Sequence, residues 1–528
     1  MLYGPAAGWR IHGKKLRIAG VILALAIAGG GVFFTRHWPF SENRVRQSLE
    51  ETFPATVNFQ KFHATYFPHP GCVAEGVTFR QLGRPAQTPA IVTVQVLTIE
   101  SHYIDMLFRP SYIARIIAER FKVHVPPPGT SLAETNWRET PSNRHVGEII
   151  LDGSILEIDR HEPHTVLQFE IHKLRLTSVS RNSPLFYNLA VHNPLPPGEV
   201  RASGQFGPWN SDAHGETALS GEYTFQNADL GVFDGLAGIL SAKDNFHGKL
   251  KRIESDGNLD IPDFEVTRSK HPVHLRSKYH ALIDGTNGDV TLEHVDTYFL
   301  KTHVSAKGKV AGTTGEHGKT ASLDFHATQG RVQDLFRLVI HEPKPPFNGI
   351  INFRAHAVLP PGHAPFLEKV RLSGDFGISG GEFAKSATQE SIDEFSERAR
   401  GQKPDDDSED KDRVISDLAG HVELLHATAT FNDVSFAVPG ALATMRGTYG
   451  VISRKIDLHG TLKSQAELSE MNTGIKSVLL KPFDRLFKKK PAGAVVPVHL
   501  IGTYEDPQPG VDIPTKKGKS EPSAAPER

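Results

Sequence analysis

The chain has 528 residues, and its 59 lysines and arginines against 60 aspartates and glutamates give a formal net charge of -1 at pH 7. This balance removes the basic surface expected of a nucleic-acid-binding protein. The single cysteine, Cys72, excludes an intramolecular disulfide framework and any multi-cysteine metal site. The 47 glycines and 36 prolines indicate a turn-rich chain, and 30 phenylalanines indicate wide apolar surfaces.

An uncharged segment, residues 18–35, predicts a transmembrane anchor, because a helix of that length covers about 27 Å, close to the thickness of a hydrocarbon core. Basic residues between Arg10 and Arg17 precede it, so the positive-inside rule keeps residues 1–17 in the cytoplasm and exports the rest. A cleaved signal peptide is the alternative, since Ala26-Ile27-Ala28 is a small-x-small site. In a bacterium, both cases place the body of the chain in the periplasm.

Residues 41–125 form the first predicted domain beyond the anchor. Ser41 can cap a short helix, and strands follow it. In the predicted strand of residues 90–100, one face is formed by Val92, Val94 and Val96. Residues 103–121 then show a helical spacing of apolar positions, interrupted by Pro110.

Residues 146–384 predict a series of strands separated by glycines. Within them, Leu167, Phe169 and Ile171 alternate on one face, and the pattern then moves by one residue at Leu174. A change of phase of this kind indicates a β-bulge that bends the strand.

Part of this region recurs at an offset of about 100 residues, which predicts a duplicated module. The sequence HGETA at 214–218 recurs as HGKTA at 317–321, and Phe246-His247-Gly248 matches Phe347-Asn348-Gly349. A short helical piece is predicted between the strands of each copy. Chance similarity between glycine-rich strands is the alternative.

Residues 385–416 combine a predicted helix with the acidic run at 403–413, which predicts a solvated loop. Strands resume in residues 417–505. Alternating apolar positions in this part of the chain include Phe431 and Phe436.

Residues 468–486 predict an amphipathic helix, because apolar side chains recur there every three or four residues. Such a helix could pack in the core or lie on an anionic membrane surface. The composition of residues 506–528, rich in Pro, Lys, Ser and Glu, predicts a disordered tail.

The sequence offers no set of residues that predicts catalysis. The HExxH pattern of a zinc site does not occur, and Gly318-Lys319-Thr320 lacks the first glycine of a phosphate loop because Thr313 stands there. Cys72 has no neighbouring basic residue that would lower its pKa, so a buried, inert thiol is expected. We therefore predict no catalytic residue, no metal and no cofactor.

Apolar strands over several hundred residues need something to cover them. A sandwich or closed barrel covers them with protein, and an open, curled sheet could cover them with lipid tails, at about 0.8 kcal/mol per buried methylene. For each alternating apolar position, cover by protein and cover by lipid both remain open. The candidate groove-lining residues are Val92, Val94, Val96, Leu167, Phe169, Ile171, Phe431 and Phe436.

Three parts of the chain resemble the AsmA-like family of envelope proteins, whose larger relatives include TamB. Residues 53–80 with 90–108 look like the family's N-terminal domain, and residues 417–464 and 479–510 are similar to its C-terminal region. The resemblance implies a mainly β fold, an elongated, curled and repeating β-groove (a β-taco) with an N-terminal transmembrane helix and a few short helices. Members of the family are linked to outer-membrane lipid homeostasis and to the carriage of phospholipids along the groove.

We therefore predict a non-enzymatic, single-pass protein of the bacterial inner membrane whose periplasmic body binds phospholipid acyl chains and takes part in lipid transfer. The expected partners are the inner membrane, phospholipid and an outer-membrane or periplasmic protein, and nucleic acid is not among them. An alternative is a scaffold that offers strand edges to outer-membrane proteins during their assembly. A periplasmic hydrolase is a third hypothesis.

Overall fold

The computed structural model describes residues 38–53, 55–81, 90–109, 111–125, 145–159, 166–312, 318–341, 343–400, 414–464, 495–504 and 506–511. Over these ranges the protein is mainly β with few helices, which confirms the predicted fold class at that level. The chain divides into two compact units, Met1–Val191 (unit 1) and His192–Arg528 (unit 2). The predicted anchor at 18–35, the acidic run at 403–413 and the predicted helix at 468–486 lie outside the described residues.

Unit 1 is built from short helices and a set of strands. Its described helices are α1 (Glu42–Thr52) and α2 (Tyr103–Phe108). Its strands are β1 (Ala55–Asn58), β2 (Lys61–Thr65), β3 (Gly71–Gln81), β4 (Val92–Glu100), β5 (Tyr112–Glu119), β6 (Lys122–Val125), β7 (His145–Asp159) and β8 (Val166–Val179). A further strand, β9 (Leu185–Pro194), crosses the boundary between the units.

The strands of unit 1 form a mixed sheet. Strand β3 pairs antiparallel with β1, β2 and β4, and β4 pairs antiparallel with both β5 and β6. Strands β5 and β6 then lie parallel to β7, which pairs antiparallel with β8. The long strand β7 therefore pairs along one edge with two shorter strands, β5 and β6, and along its other edge with β8.

The helix predicted over residues 103–121 is wrong beyond its first turns. Among the described residues of this range, those of α2 alone are helical, and residues Tyr112–Glu119 form β5. Pro110 stands between them in the sequence and cannot continue a helix, because it has no backbone N–H to donate. The β-branched residues that follow, among them Ile116 and Ile117, favour a strand. By contrast, α1 confirms the helix predicted after Ser41.

A closed core lies in unit 1 beneath α1. Val45 of α1 and Trp38 pack against Val57, Val77 and strands β3 to β5. The same cluster contains Cys72, which is 1% exposed. Burial raises the pKa of this thiol to about 12, as expected for the inert cysteine predicted from the sequence.

Unit 2 contains most of the strands. They are β10 (Pro197–Phe206), β11 (Ala218–Asp229), β12 (Leu236–Ala237), β13 (Ile239–Lys249), β14 (Arg252–Val266), β15 (Val273–Asp284), β16 (Asp289–Phe299), β17 (Thr302–Gly312), β18 (Lys319–Arg331), β19 (Phe347–Leu359), β20 (Arg371–Phe383), β21 (Ser416–Leu425), β22 (Thr428–Val438), β23 (Ala441–Gly450), β24 (Lys455–Ser464), β25 (Val495–Thr503) and β26 (Pro507–Val511). Its described helices are α3 (Val332–Val339), α4 (Phe366–Lys369) and α5 (Ser386–Ala399), with single 3-10 turns at His214–Glu216 and Leu230–Val232.

The described strands of unit 2 follow one another as an antiparallel meander. Strand β10 pairs with β11, β11 pairs with β13, and from β13 to β26 each strand pairs with the next one in the chain. The two-residue β12 pairs with β14. Strand β26 lies within residues 506–528, the tail predicted to be disordered. That prediction is wrong for Pro507–Val511, because their backbone pairs with β25.

The order of elements confirms a repeat-like architecture. Strands β10 and β11, a 3-10 turn and β13 correspond to β17 and β18, α3 and β19. In each copy a residue with positive φ, Asn227 (55°) or Gln329 (55°), lies at a register shift of the ladder, which resumes for two pairs before the helical piece. The predicted match of Phe246 with Phe347 is wrong in detail, since Phe246 lies inside β13 and Phe347 begins β19.

Candidate functional site

One face of the unit 2 sheet is lined by apolar residues across its strands. Directly paired residues of neighbouring strands point to the same face. The registers place the following residues in one continuous row: Ala202, Tyr223, Asp244, Gly257, Tyr279, Val295, Ala306, Phe325, Ala355, Gly374, Val422, Phe431, Gly447, Leu458 and Leu500. Asp244 is the only charged member. We call the side of the sheet that carries this row the unit 2 apolar face.

The opposite face of the same sheet is polar. Side chains alternate along each strand, so the neighbouring row points the other way. That row consists of Arg201, Thr224, Lys243, Asn258, Lys278, Asp296, Ser305, His326, Arg354, Asp375 and His421. Unit 2 is therefore a sheet with one side suited to water and one side suited to hydrocarbon.

Helices cover part of the unit 2 apolar face. Leu335 and Leu338 of α3 pack against a cluster around Phe299, and Phe395 of α5 belongs to a cluster with Val438. The row through Tyr223 and Leu500 is less enclosed: apart from Asp244 and two glycines, its residues are only partly buried. An apolar row that stays partly exposed over many strands is a surface on which a ligand can be buried.

Phe431 and Phe436, two of the predicted lining residues, both lie on the unit 2 apolar face. They are five positions apart and would point to opposite faces of a regular strand. The register of β22 shifts between Phe431 and Val434, and this irregularity returns both rings to one side. Phe436 also packs beside the cluster under α5, so it lies nearer to the covered part of the face.

Unit 1 has an apolar face of its own. The registers from β1 to β8 place Val57, Phe79, Val92, Val123, Leu156 and Phe169 in one row. Leu167 and Ile171 pair with Ile158 and Ser154 on the same side of β8. The structure thus brings two predicted residues of distant segments, Val92 and Phe169, onto one face, which we call the unit 1 apolar face.

The three predicted valines of β4 do not share one environment. Val94 is 3% exposed and belongs to the closed core under α1, and Val92 packs against that core. Val96 is partly buried and pairs with Glu75 on one side and Glu119 on the other. Val94 is therefore a core residue in this structure, whereas Leu167, Phe169 and Ile171 are partly exposed and alternate with exposed residues.

A line of residues with positive φ crosses the strands of unit 1 and explains the difference between these valines. We call this line the crease. Gly76, Arg120 and Gly153 have positive φ angles of 62°, 52° and 56° in strand β3, before β6 and in strand β7. On the two sides of these residues, the buried positions of a strand differ by one residue. In β4, Val94 is buried before this point, and Leu97 rather than Val96 is buried after it. The change of phase predicted in β8 at Leu174 lies at the same crease, but the predicted β-bulge is wrong: the pairs Asp152–Lys173 and Ser154–Ile171 keep one register on either side of Gly153.

A buried polar cluster interrupts the unit 2 apolar face. Asp244 is 0% exposed and accepts hydrogen bonds on Oδ2 from Ser255 Oγ at 2.6 Å and Tyr279 Oη at 2.7 Å. Tyr279 Oη lies 3.2 Å from Tyr223 Oη. Burial, and then the contact with Asp244, raises the pKa of Tyr279, so its hydroxyl stays protonated and donates. Gly257 leaves the space that the Tyr279 ring occupies.

Sequence reasoning missed a series of histidine–carboxylate pairs on the polar face of unit 2. His280 Nδ1 lies 2.8 Å from Asp256 Oδ1, and Asp296 contacts both His294 and His303 at 2.6 Å and 2.7 Å. The hydrogen bond with Asp256 raises the pKa of His280, and the bonds from His303 and His294 lower that of Asp296. The signal in the sequence is an alternation of His and Asp at exposed strand positions.

Sequence reasoning also missed one motif. Residues 377–381 read GISGG and match the Gly-x-Ser-x-Gly pattern of hydrolases. In those enzymes the serine stands on a sharp turn between a strand and a helix. Here Ser379 lies inside β20, paired with Ile350 of β19, and α5 begins only at Ser386. The motif therefore lacks the backbone geometry of a nucleophile elbow.

Comparisons with protein-family models, with curated proteins and with solved structures gave no match to this chain. Across the described ranges, no three or more His, Cys, Asp or Glu side chains are grouped so that they could hold a metal ion. None of the helices in the described parts of the chain is long and apolar enough to cross a membrane.

Proposed function

We propose that this chain is an AsmA-like protein, anchored in the bacterial inner membrane by residues 18–35, whose periplasmic body binds phospholipid acyl chains. In this proposal the sheet is curled into a groove, the β-taco of that family, and the unit 2 apolar face forms its inner wall. The protein would take part in lipid transfer or in outer-membrane lipid homeostasis, without catalysis. The observation that supports the proposal best is the continuous apolar row from Ala202 to Leu500, with a polar row behind it.

Physical chemistry supports an acyl chain as the ligand. The partly buried side chains of the row offer apolar contact across the strands of the sheet but few hydrogen-bonding groups. An acyl chain binds to a surface of that kind, because each methylene moved out of water contributes about 0.8 kcal/mol to the binding free energy. The polar head group needs no pocket of its own, because it can stay in solvent at the margin of the sheet.

The scaffold alternative would use an open sheet edge. Strand β26 is the last strand of the described meander, and it contains Pro507 and Pro509. Proline has no backbone N–H, and its presence at an edge is a common device against pairing with another strand. This observation favours a lipid on the face of the sheet over a client strand at that edge.

Lipid analysis of matched variants tests the proposal. The full chain is extracted in detergent, purified and analysed by mass spectrometry for phospholipid. Phe169→Asp and Phe431→Asp place a charge on the apolar face of each unit, and Gln168→Asp and Asn432→Asp place the same charge at exposed neighbouring positions.

We expect bound phospholipid in the wild-type protein and in both controls, and less in the two phenylalanine variants, with circular dichroism unchanged in all. A wild-type protein that carries no phospholipid would contradict the proposal. Equal lipid content in the phenylalanine variants and their controls would show that the apolar faces are not the binding surface.

A further inference from the structure

Unit 1 exposes a group of large apolar side chains on α2 and on the turn before β3. The exposed fractions are 88% for Phe67, 75% for Leu107 and Phe108, and 72% for Ile104. Single exposed apolar residues are common on soluble proteins, but a contiguous group of them marks an interaction site. We call these four residues the α2 patch.

The conformation of α2 explains why these side chains point outward. Ile104, Leu107 and Phe108 stand at positions i, i+3 and i+4 and therefore share one face of the helix. Met106 lies on another side and packs against the core of unit 1. The core thus holds the helix in the orientation that exposes its apolar face, and the exposure is not the result of a loose segment.

Hydrogen bonding connects α2 to the turn that carries Phe67. The hydroxyl of Tyr103, at the start of α2, donates to the backbone carbonyl of Tyr66. The two parts of the patch are therefore neighbours. Arg109, which is exposed directly after α2, adds a cation beside the apolar side chains, as in segments that lie at an anionic lipid surface.

The position of the patch in the chain indicates what covers it. The ring of Tyr66 is 4.7 Å from the ring of Trp38. Trp38 follows the predicted anchor, residues 18–35, by three residues, which span at most about 11 Å. The patch therefore lies close to the point where the chain would leave the membrane.

We propose that the α2 patch inserts into the surface of the bilayer that holds the anchor, so that unit 1 contacts the membrane at two places. This inference rests on the proposed membrane location of the protein. A second contact would restrict the rotation of unit 1 about its anchor and fix which side of the unit faces the lipid.

Site-specific fluorescence tests the inference on the full chain. The native Cys72 is buried with a pKa of about 12, so a new exposed cysteine can be labelled selectively. Ile104→Cys is labelled with the polarity-sensitive dye NBD, and the protein is reconstituted in vesicles of phosphatidylethanolamine and phosphatidylglycerol. Lys173→Cys, at an exposed position of β8, is the control.

We expect blue-shifted emission from the dye at position 104, quenching of that emission by nitroxide-labelled lipid, and water-like emission at position 173. Adding Leu107→Ser and Phe108→Ser should shift the emission at position 104 toward that of water. Both side chains are exposed, so the fold should be retained.

Water-like emission at position 104 in a protein that resists alkaline extraction from the vesicles would overturn the inference and leave the anchor in place. Blue-shifted emission without quenching by the labelled lipid would also overturn it, because another part of the chain would then cover the patch. A protein that is extracted from the membrane at alkaline pH would contradict the proposed function itself.

Discussion

Val94 and Val96 are two residues apart on β4, and the structure assigns them different roles. Val94 is 3% exposed in the core beneath α1, and Val96 is partly buried between two glutamates. Val94→Ala removes two methylene equivalents, or about 1.6 kcal/mol of transfer free energy, and leaves a cavity that costs about 1 kcal/mol more. We therefore expect the free energy of unfolding of unit 1 to fall by about 2 to 3 kcal/mol. For Val96→Ala we expect a loss below about 1 kcal/mol, because part of that side chain is already in water.

Native-state hydrogen exchange, read in peptides that cover β3 and β4, measures this difference in unit 1 without contributions from unit 2. The protection of the slowest amides should fall in Val94→Ala and change little in Val96→Ala. Equal effects of the two substitutions would refute the reasoning, because they would mean that α1 does not close the core over Val94 and that the crease at Gly76 does not change the phase of β4.

Three further predictions concern single residues. The hydrogen bond with Asp256 raises the pKa of His280, so the pair stabilises the fold fully below the ordinary value of 6.5, and this contribution is lost as the pH rises through the raised pKa. Thermal unfolding of His280→Gln should therefore vary less with pH over that range than wild-type unfolding, and an unchanged profile would contradict the assignment. Cys72 should react with iodoacetamide only after denaturation in urea, and modification of the native protein at the rate of a free thiol would show that the site is open. Gly153→Ala, with no atom closer than 4.0 Å to the new Cβ, should cost only about 1 kcal/mol of backbone strain. Gly308→Ala, whose Cβ would overlap a backbone carbonyl oxygen of β18, should destabilise unit 2 much more in urea unfolding.

The sequence predicted the strands well where side-chain alternation is regular. Leu167, Phe169 and Ile171 alternate, and the structure places all three on one face of β8. The change of phase near Leu174 was visible in the sequence because it leaves two apolar residues an odd number of positions apart. What the sequence could not show is that this change belongs to a crease shared by neighbouring strands, since the pairing of distant segments is not encoded in local periodicity.

The limits of local patterns are clearest in β4 and β5. The spacing of Val92, Val94 and Val96 predicts one face, but Gly76 in the neighbouring strand interrupts the ladder beside them. Likewise, the isoleucines after Pro110 fit a helical spacing and also suit a strand, and pairing with β4 and β7 decides for the strand. Tertiary contacts thus override propensity where an apolar segment is compatible with both structures.

The candidate site was predictable as a type of surface but not as a set of residues. Apolar alternation at Phe431 and Phe436 indicated a face without showing what covers it, and the structure distinguishes the covered margin under α5 from the less enclosed row. The cluster of Asp244 and Tyr279 joins strands β13 and β15 and gave no signal in the sequence, because its members are 35 residues apart.

Photocrosslinking in cells tests the central claim, that the apolar face holds lipid, most directly. The photoreactive analogue p-benzoylphenylalanine replaces Leu458, on the less enclosed row of the unit 2 apolar face, or Asp457, the adjacent exposed residue on the polar face. Illumination followed by mass spectrometry of the purified chain should show phospholipid adducts at position 458 and none at position 457. Adducts at neither position, or equal adducts at both, would contradict the account.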